Sequence, residues 1–283
     1  MSAMPIQDQA RQVDALVSKV NELAVLPHVV YKVLEIAGST DSPASEIEKA
    51  IVVDPGFCAK LLTHANSAYY GLPRQVTSIR EAIVFLGFKA VRQMAMTVAC
   101  FDLFVGKNDK ESLRRRAWWR HSIDTAVCSK YIAQKTKRVT PEEAYTCGLL
   151  HIIGKTLLDR YAPGAYERVE SLIASGVQDY IAEQQVYGCD HVRVGMAAAT
   201  KWGLPENLVE ALNYTDPKAA NDPFAPFSAT VALSTVISRI AITGTHEELP
   251  IWACEALEFS EAERQELIDA GMEVIAAAAT IQM

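Results

Sequence analysis

Helix-start signals recur from one end of this chain to the other, and no segment sustains the apolar–polar alternation of a strand. Ser45-x-x-Glu48, Ser78-x-x-Glu81 and Ser260-x-x-Glu263 have the spacing of capping boxes. In such a box the hydroxyl accepts an orphan amide and the glutamate reaches back to the cap. Asp54-Pro55 and Thr140-Pro141-Glu142-Glu143 place a capping side chain before a proline suited to the first turn. Between these signals, apolar residues return every three or four positions. Val13, Leu16, Val17, Val20 and Leu23 mark a first helix, and Val29, Val30, Val33, Leu34 and Ala37 a second, running from Pro27 to Gly38. Further helices are expected to follow Pro55 and Ser78, then over residues 90–104, 113–134, 144–160, 191–202 and 227–243, with a last one after Ser260 ending in an alanine run. Residues 213–226, rich in Asp, Asn and Pro, form the longest expected loop. Such a chain buries its apolar stripes by packing helix on helix, so the expected class is all-α.

The 283 residues suffice for one large core or two lobes sharing an interface. The short polar stretch 106–109 is the best boundary, giving helical lobes over 14–107 and 110–283 that pack together. A net charge of -7 argues against a strongly basic nucleic-acid binder. No stretch approaches the roughly 20 apolar residues of a membrane-spanning helix. The polar opening, residues 1–11, lacks the apolar run of a secretory signal. Cys58, Cys100, Cys128, Cys147, Cys189 and Cys254 form no CxxC pair and sit in apolar helical stretches. The expectation is a cytoplasmic protein without membrane contact or structural disulfides.

Three of the six histidines stand on successive expected helices. His121 follows Trp118-Trp119-Arg120, His151 lies in Gly148-Leu149-Leu150-His151-Ile152-Ile153-Gly154-Lys155, and His191 follows the cap Asp190. Together they can converge on one pocket.

The stretch 149–155, Leu-Leu-His-Ile-Ile-Gly-Lys, resembles the LLHDIGK signature of HD-superfamily metal phosphohydrolases. Other segments are more specific. They are Asp54-Pro55, Ala65-Asn66-Ser67-Ala68-Tyr69-Tyr70-Gly71, Ser78-Ile79-Arg80-Glu81-Ala82-Ile83-x-x-Leu86-Gly87, Tyr187-Gly188-x-x-His191-x-x-x-Gly195 and Trp202-Gly203-Leu204-Pro205. Taken together these resemble HDOD, the HD-related output domain of bacterial signalling proteins, over roughly residues 14–275. The resemblance implies an N-terminal helical lobe packed on a degenerate HD-like bundle, usually without catalysis, acting in signal transduction.

An active HD site holds divalent ions with two histidines and two aspartates, whose carboxylates supply hard anionic oxygen. Aligned on that pattern, His121 and His151 fill the histidine positions. Ile152 stands where the first aspartate belongs and Thr235 near the second. Both carboxylates are lost, so no catalytic residue and no metal or other cofactor is assigned. Two or three neutral imidazoles retain only a weak capacity for zinc or nickel. Lys155, His191 and Thr235 complete the vestigial pocket, and Asp124, one turn after His121, is the candidate replacement ligand.

Each residue also has a plainer reading. His121 and His151 serve as hydrogen-bonded core residues, His191 is a solvated helix start, and Lys155 and Asp124 lie on the surface. Asn66-Ser67 bonds local backbone. Arg114-Arg115-Arg116 with Trp118, Trp119 and Arg120 packs its indoles between lobes while the arginines face water. The leading expectation is a non-catalytic regulatory module that binds signalling proteins or a small effector. Its rivals are a phosphohydrolase with an altered ligand set, and a nucleotide or nucleic-acid sensor built on the Arg–Trp cluster.

Overall fold

The computed structural model describes residues 44–278 apart from Asp54, Asp102, Leu103, Lys107, Pro163 and Ala220, together with Ala15 and Ser18. The two helices expected before residue 40 and the Asp54 cap lie outside the described residues. Fourteen α-helices and one 3-10 turn account for the described secondary structure, and no strand occurs among them.

The N-terminal lobe comprises α1 (Ala44–Val52), α2 (Pro55–Ala65), the 3-10 turn Ala68–Tyr70, α3 (Ile79–Leu86) and α4 (Phe88–Phe101). Ser78 caps α3 by accepting the Glu81 amide. The Glu81 carboxylate reaches back one residue beyond the cap, to the Thr77 amide. Asn66 has the backbone-bonding role expected of it. Its Oδ1 accepts the Val76 amide at 2.8 Å and its Nδ2 donates to the Val76 carbonyl at 2.9 Å, which closes the intervening loop.

Asn108 caps α5 (Asp109–Thr136), the longest helix described, so the polar boundary stretch ends in a helix start. Then follow α6 (Pro141–Leu150), α7 (Ile153–Tyr161), α8 (Tyr166–Ala174), α9 (Asp179–Tyr187), α10 (His191–Lys201), α11 (Glu206–Ala211), α12 (Ala225–Thr243), α13 (Ile251–Ala256) and α14 (Glu261–Ala277). Helices on both sides of residues 106–109 share a core. Ile51, Leu61 and Met94 belong to the same buried cluster as Ile123, Leu149 and Leu157. Trp119 of α5 wedges against Phe101 and Phe104, and the Thr97 and Tyr145 hydroxyls meet at 3.0 Å across the junction. A second cluster lies between α5, α12 and α14, around Cys128, Leu233, Ile237 and Leu267. The six cysteines are all free thiols.

Helix α12 corrects one expectation. With 19 residues and a single charge, it is long and apolar enough to cross a membrane by length and composition. Its surroundings explain that composition: α5, α6, α11, α13 and α14 all pack against it, and 67% of its most apolar stretch is buried.

Candidate functional site

The single helix expected over residues 144–160 is two helices, broken at His151-Ile152. After the break, Gly154 presses on α10 so closely that a Cβ there would lie 1.9 Å from the His191 carbonyl oxygen. His151 Nδ1 bonds the Gly148 carbonyl at the end of α6, at 2.7 Å. A carbonyl only accepts, so Nδ1 carries the proton and the neutral ring offers Nε2 as acceptor. His121 Nε2, 3.2 Å away, therefore donates. His121 Nδ1 then accepts from the Ser238 hydroxyl at 2.8 Å. The chain of bonds assigns both tautomers. It also brings the two Nε2 atoms within 3.2 Å of each other.

Both rings are held neutral. Burial pushes the His121 pKa down to about 3, with the positive charges of Lys155 and Arg239 adding to it. Burial and then the neighbouring His121 push His151 well below its ordinary value. Buried His64, in the N-terminal lobe, is lowered by burial to about 4. A base whose folded pKa is depressed contributes stability above its unfolded pKa, and that stability is lost as pH falls toward the folded value. Denaturant unfolding is therefore expected to show stability falling below pH 6.5, by up to about 1.4 kcal/mol per pH unit for each histidine involved. Asp124 opposes this, because its pKa is raised by burial to about 6 against the pull of Arg120. Three imidazoles outweigh one carboxyl. A flat profile from pH 7 to 5 would contradict these neutral buried rings.

His191 does not join the pair. The Tyr214 ring lies between, edge-on to His151 with centroids 5.2 Å apart, and its hydroxyl bonds His191 Nε2 at 3.0 Å. Nor is His191 solvated: it is 1% exposed. Its Nδ1 and its backbone amide both donate to Glu183 Oε2, at 2.6 and 2.8 Å. Tyr166 donates to the other oxygen of Glu183 at 2.7 Å. Burial works to raise the Glu183 pKa, but His191 and these donors hold it below its ordinary value.

A cleft of about 180 Å³ opens on the His121 side of the histidine pair. His121, Ile152, Lys155, Tyr214, Thr235 and Arg239 line it, with Trp118, Asp179 and Ile242 at its edges. Lys155 is 13% exposed rather than a surface lysine, and its Nζ holds Asp179 at 2.6 Å. Thr235 gives its hydroxyl proton to the Val231 carbonyl of its own helix. Asp124 is neither on the surface nor in the cleft. It is 1% exposed, and both of its oxygens accept from Arg120 Nε at 2.8 and 2.7 Å.

This donor set does not fit the hard divalent ions of an HD enzyme. Ile152 has no lone pair, Thr235 bonds its own backbone, the Asp179 carboxylate is taken by Lys155, and two cations flank the space. Among the described residues, no three His, Cys, Asp or Glu side chains gather as a metal site. A larger cleft of about 360 Å³ lies by Asp190, Arg193, Asn213 and Asp216, away from the histidine pair.

The arginine cluster is internal where water was expected. Arg114 and Arg115 are 8% and 1% exposed and both grip Asp159, through Nη2 and Nε at 2.8 Å each. Trp118 packs edge-on against Tyr166, and Trp119 against Phe101 and Phe104. Only Arg116 of the three consecutive arginines is exposed.

Sequence reasoning missed Glu183, Asp179, Ser238 and Arg239, and it assigned no helix to α8 or α9. Signals for them exist. Asp179 and Glu183 are four residues apart before Gly188, one face of a helix with a left-handed cap. Arg239 is the sole charge in α12, and an unmatched charge in an apolar helix calls for a function or a partner.

The HDOD domain family matches residues 23–217. An HDOD domain protein of Geobacter sulfurreducens superposes with a TM-score of 0.79 at 23% identity, covering 99% of this chain and 100% of that one. A Shewanella amazonensis SB2B protein that carries the name of a phosphohydrolase gives 0.71 at 24%, over 94% and 98%. A Marinobacter aquaeolei VT8 protein named for signal transduction gives 0.76 at 20%, over 96% and 65%. An uncharacterised protein of Treponema pallidum (strain Nichols) is 23% identical over 252 residues, 87% of this chain. This chain spans about half of that relative, 48% of its length. The motifs, the all-helical architecture and the family match over most of the chain agree: this protein belongs to the HDOD family.

Proposed function

We propose that this chain is a non-catalytic signal-transduction module of the cytoplasm, whose former metal pocket binds a small effector or a protein partner. One observation carries the reading: among the described residues no three His, Cys, Asp or Glu side chains gather around His121 and His151 as a metal site. Ile152 and Thr235 add no anionic oxygen beside them. The name of the Marinobacter relative is in keeping with a signalling role, and that of the Shewanella relative represents the rival.

Elemental analysis of the purified protein and a phosphodiesterase and phosphomonoesterase assay with bis(p-nitrophenyl) phosphate and p-nitrophenyl phosphate test it. The expected result is substoichiometric metal, no thermal shift with added manganese or zinc, and no metal-stimulated turnover. Metal-dependent hydrolysis that disappears in His151→Ala would overturn it.

A further inference from the structure

We propose that the cleft on the His121 side of the histidine pair is a metal-free site for a small organic anion with a flat apolar body, and that this anion competes with Asp179 for Lys155. The proposal rests on the effector-binding reading above and specifies its ligand.

Size comes first. An engineered apolar cavity of about 150 Å³ accepts benzene. The 180 Å³ here accommodates a body of that size with an acidic group at one end. The walls suit such a molecule. Ile152, Ile242 and the rings of Trp118 and Tyr214 are apolar or aromatic, while Lys155 and Arg239 bring two cations to the same space. Arg239 pairs with Glu247 through Nε and Nη2, so its Nη1 lies outside that pairing. The depressed His121 pKa reports the same field: both cations act on that ring, and Asp179 acts against them. Ile152, which lines this cleft, is also the residue before the first turn of α7 and gives it no side-chain cap.

Competition follows from the Lys155–Asp179 contact. Asp179 is 41% exposed while Lys155 is 13% exposed, so the carboxylate is the more easily displaced partner. Asp179 is the first residue of α9, and Glu183 one turn later is bonded to His191 and Tyr166. An anion that takes Lys155 releases the first of these two ties and leaves the second. The start of α9 then becomes the part of the bundle able to respond to the ligand.

Calorimetric titration of the intact chain with benzoate and with phenyl phosphate, at fixed ionic strength, tests this. Benzyl alcohol is the uncharged control. Saturable binding of at least one anion is expected, with none of the alcohol. Lys155→Gln and Arg239→Gln should each weaken it about tenfold or more, as loss of a charge-assisted bond implies. Asp179→Asn should tighten it about tenfold by removing the competitor, a gain that misfolding cannot produce. Tighter binding of phenyl phosphate than benzoate assigns the acidic group as phosphoryl; the reverse order assigns it as carboxyl. No binding of either anion to Asp179→Asn would overturn the proposal, as would alcohol binding equal to that of the anions or affinity unchanged by Asp179→Asn. None of these outcomes depends on hydrolysis, so a failure here leaves the non-catalytic reading standing.

Discussion

Asp159→Ala is expected to destabilise the protein by about 3–5 kcal/mol, the cost of leaving buried charge without its partner. Asp159 is fully buried and accepts from Arg114 Nη2 and Arg115 Nε. Arg114 would keep Glu170, but at a half-exposed carboxylate. Arg115 would keep only the Val105 carbonyl and a longer contact to Glu111. Val105 lies just before the Asn108 cap, so the loss falls on the junction between the lobes. Asp159→Asn retains an acceptor but removes the charge and should fall between wild type and alanine. Denaturant unfolding with urea is the measurement, and a loss below about 1 kcal/mol would show that the pairs are not worth what their burial implies.

Gly154→Ala is the second large effect. The added methyl would sit 1.9 Å from a backbone oxygen, His191 O, and backbone cannot rotate away. Overpacking of this kind costs about 1–3 kcal/mol and occasionally more, and this contact belongs at the upper end. Its partner gives the control. A Cβ at Gly195 meets nothing nearer than 3.6 Å, an ordinary contact. Gly195→Ala should therefore be neutral or gain up to about 1 kcal/mol from helix propensity. Thermal unfolding of the two variants side by side separates a crowded helix crossing from a general intolerance of substitution. Equal effects would refute the crossing as the cause.

The helices were legible where they announce themselves locally. Ser78, Thr140 and Asp190 each accept an amide at the start of a helix, and apolar periodicity follows them, whereas the Asn108 cap lies in a stretch read as a boundary. The break at His151-Ile152 was not legible. No Pro or Gly marks it, and Gly154 is explained by a helix that approaches from forty residues away in sequence. For the site, the sequence placed His121, Ile152, Lys155 and Thr235 in one pocket, and the structure brings them to one cleft. It did not foresee that Tyr214 would hold His191 apart, or that Asp124 would face Arg120. Both outcomes depend on side-chain direction, which spacing along a helix leaves undetermined. The buried arginines make the same point in reverse. A basic run looks like a solvated face until Asp159, a lone acid on a different helix, is folded against it.

The family match covers residues 23–217, and α12 begins beyond it at Ala225, within the length over which the Geobacter HDOD protein superposes. Thr235 and Arg239 of the cleft, and Ser238 that fixes the His121 tautomer, all belong to that later helix. The cleft thus draws on helices far apart in the chain, with α12 adding Thr235 and Arg239 to His121, Ile152 and Lys155. Substitution at Thr235 or Arg239 can therefore redraw what the recess admits, provided Ser238 between them is kept to hold the His121 ring.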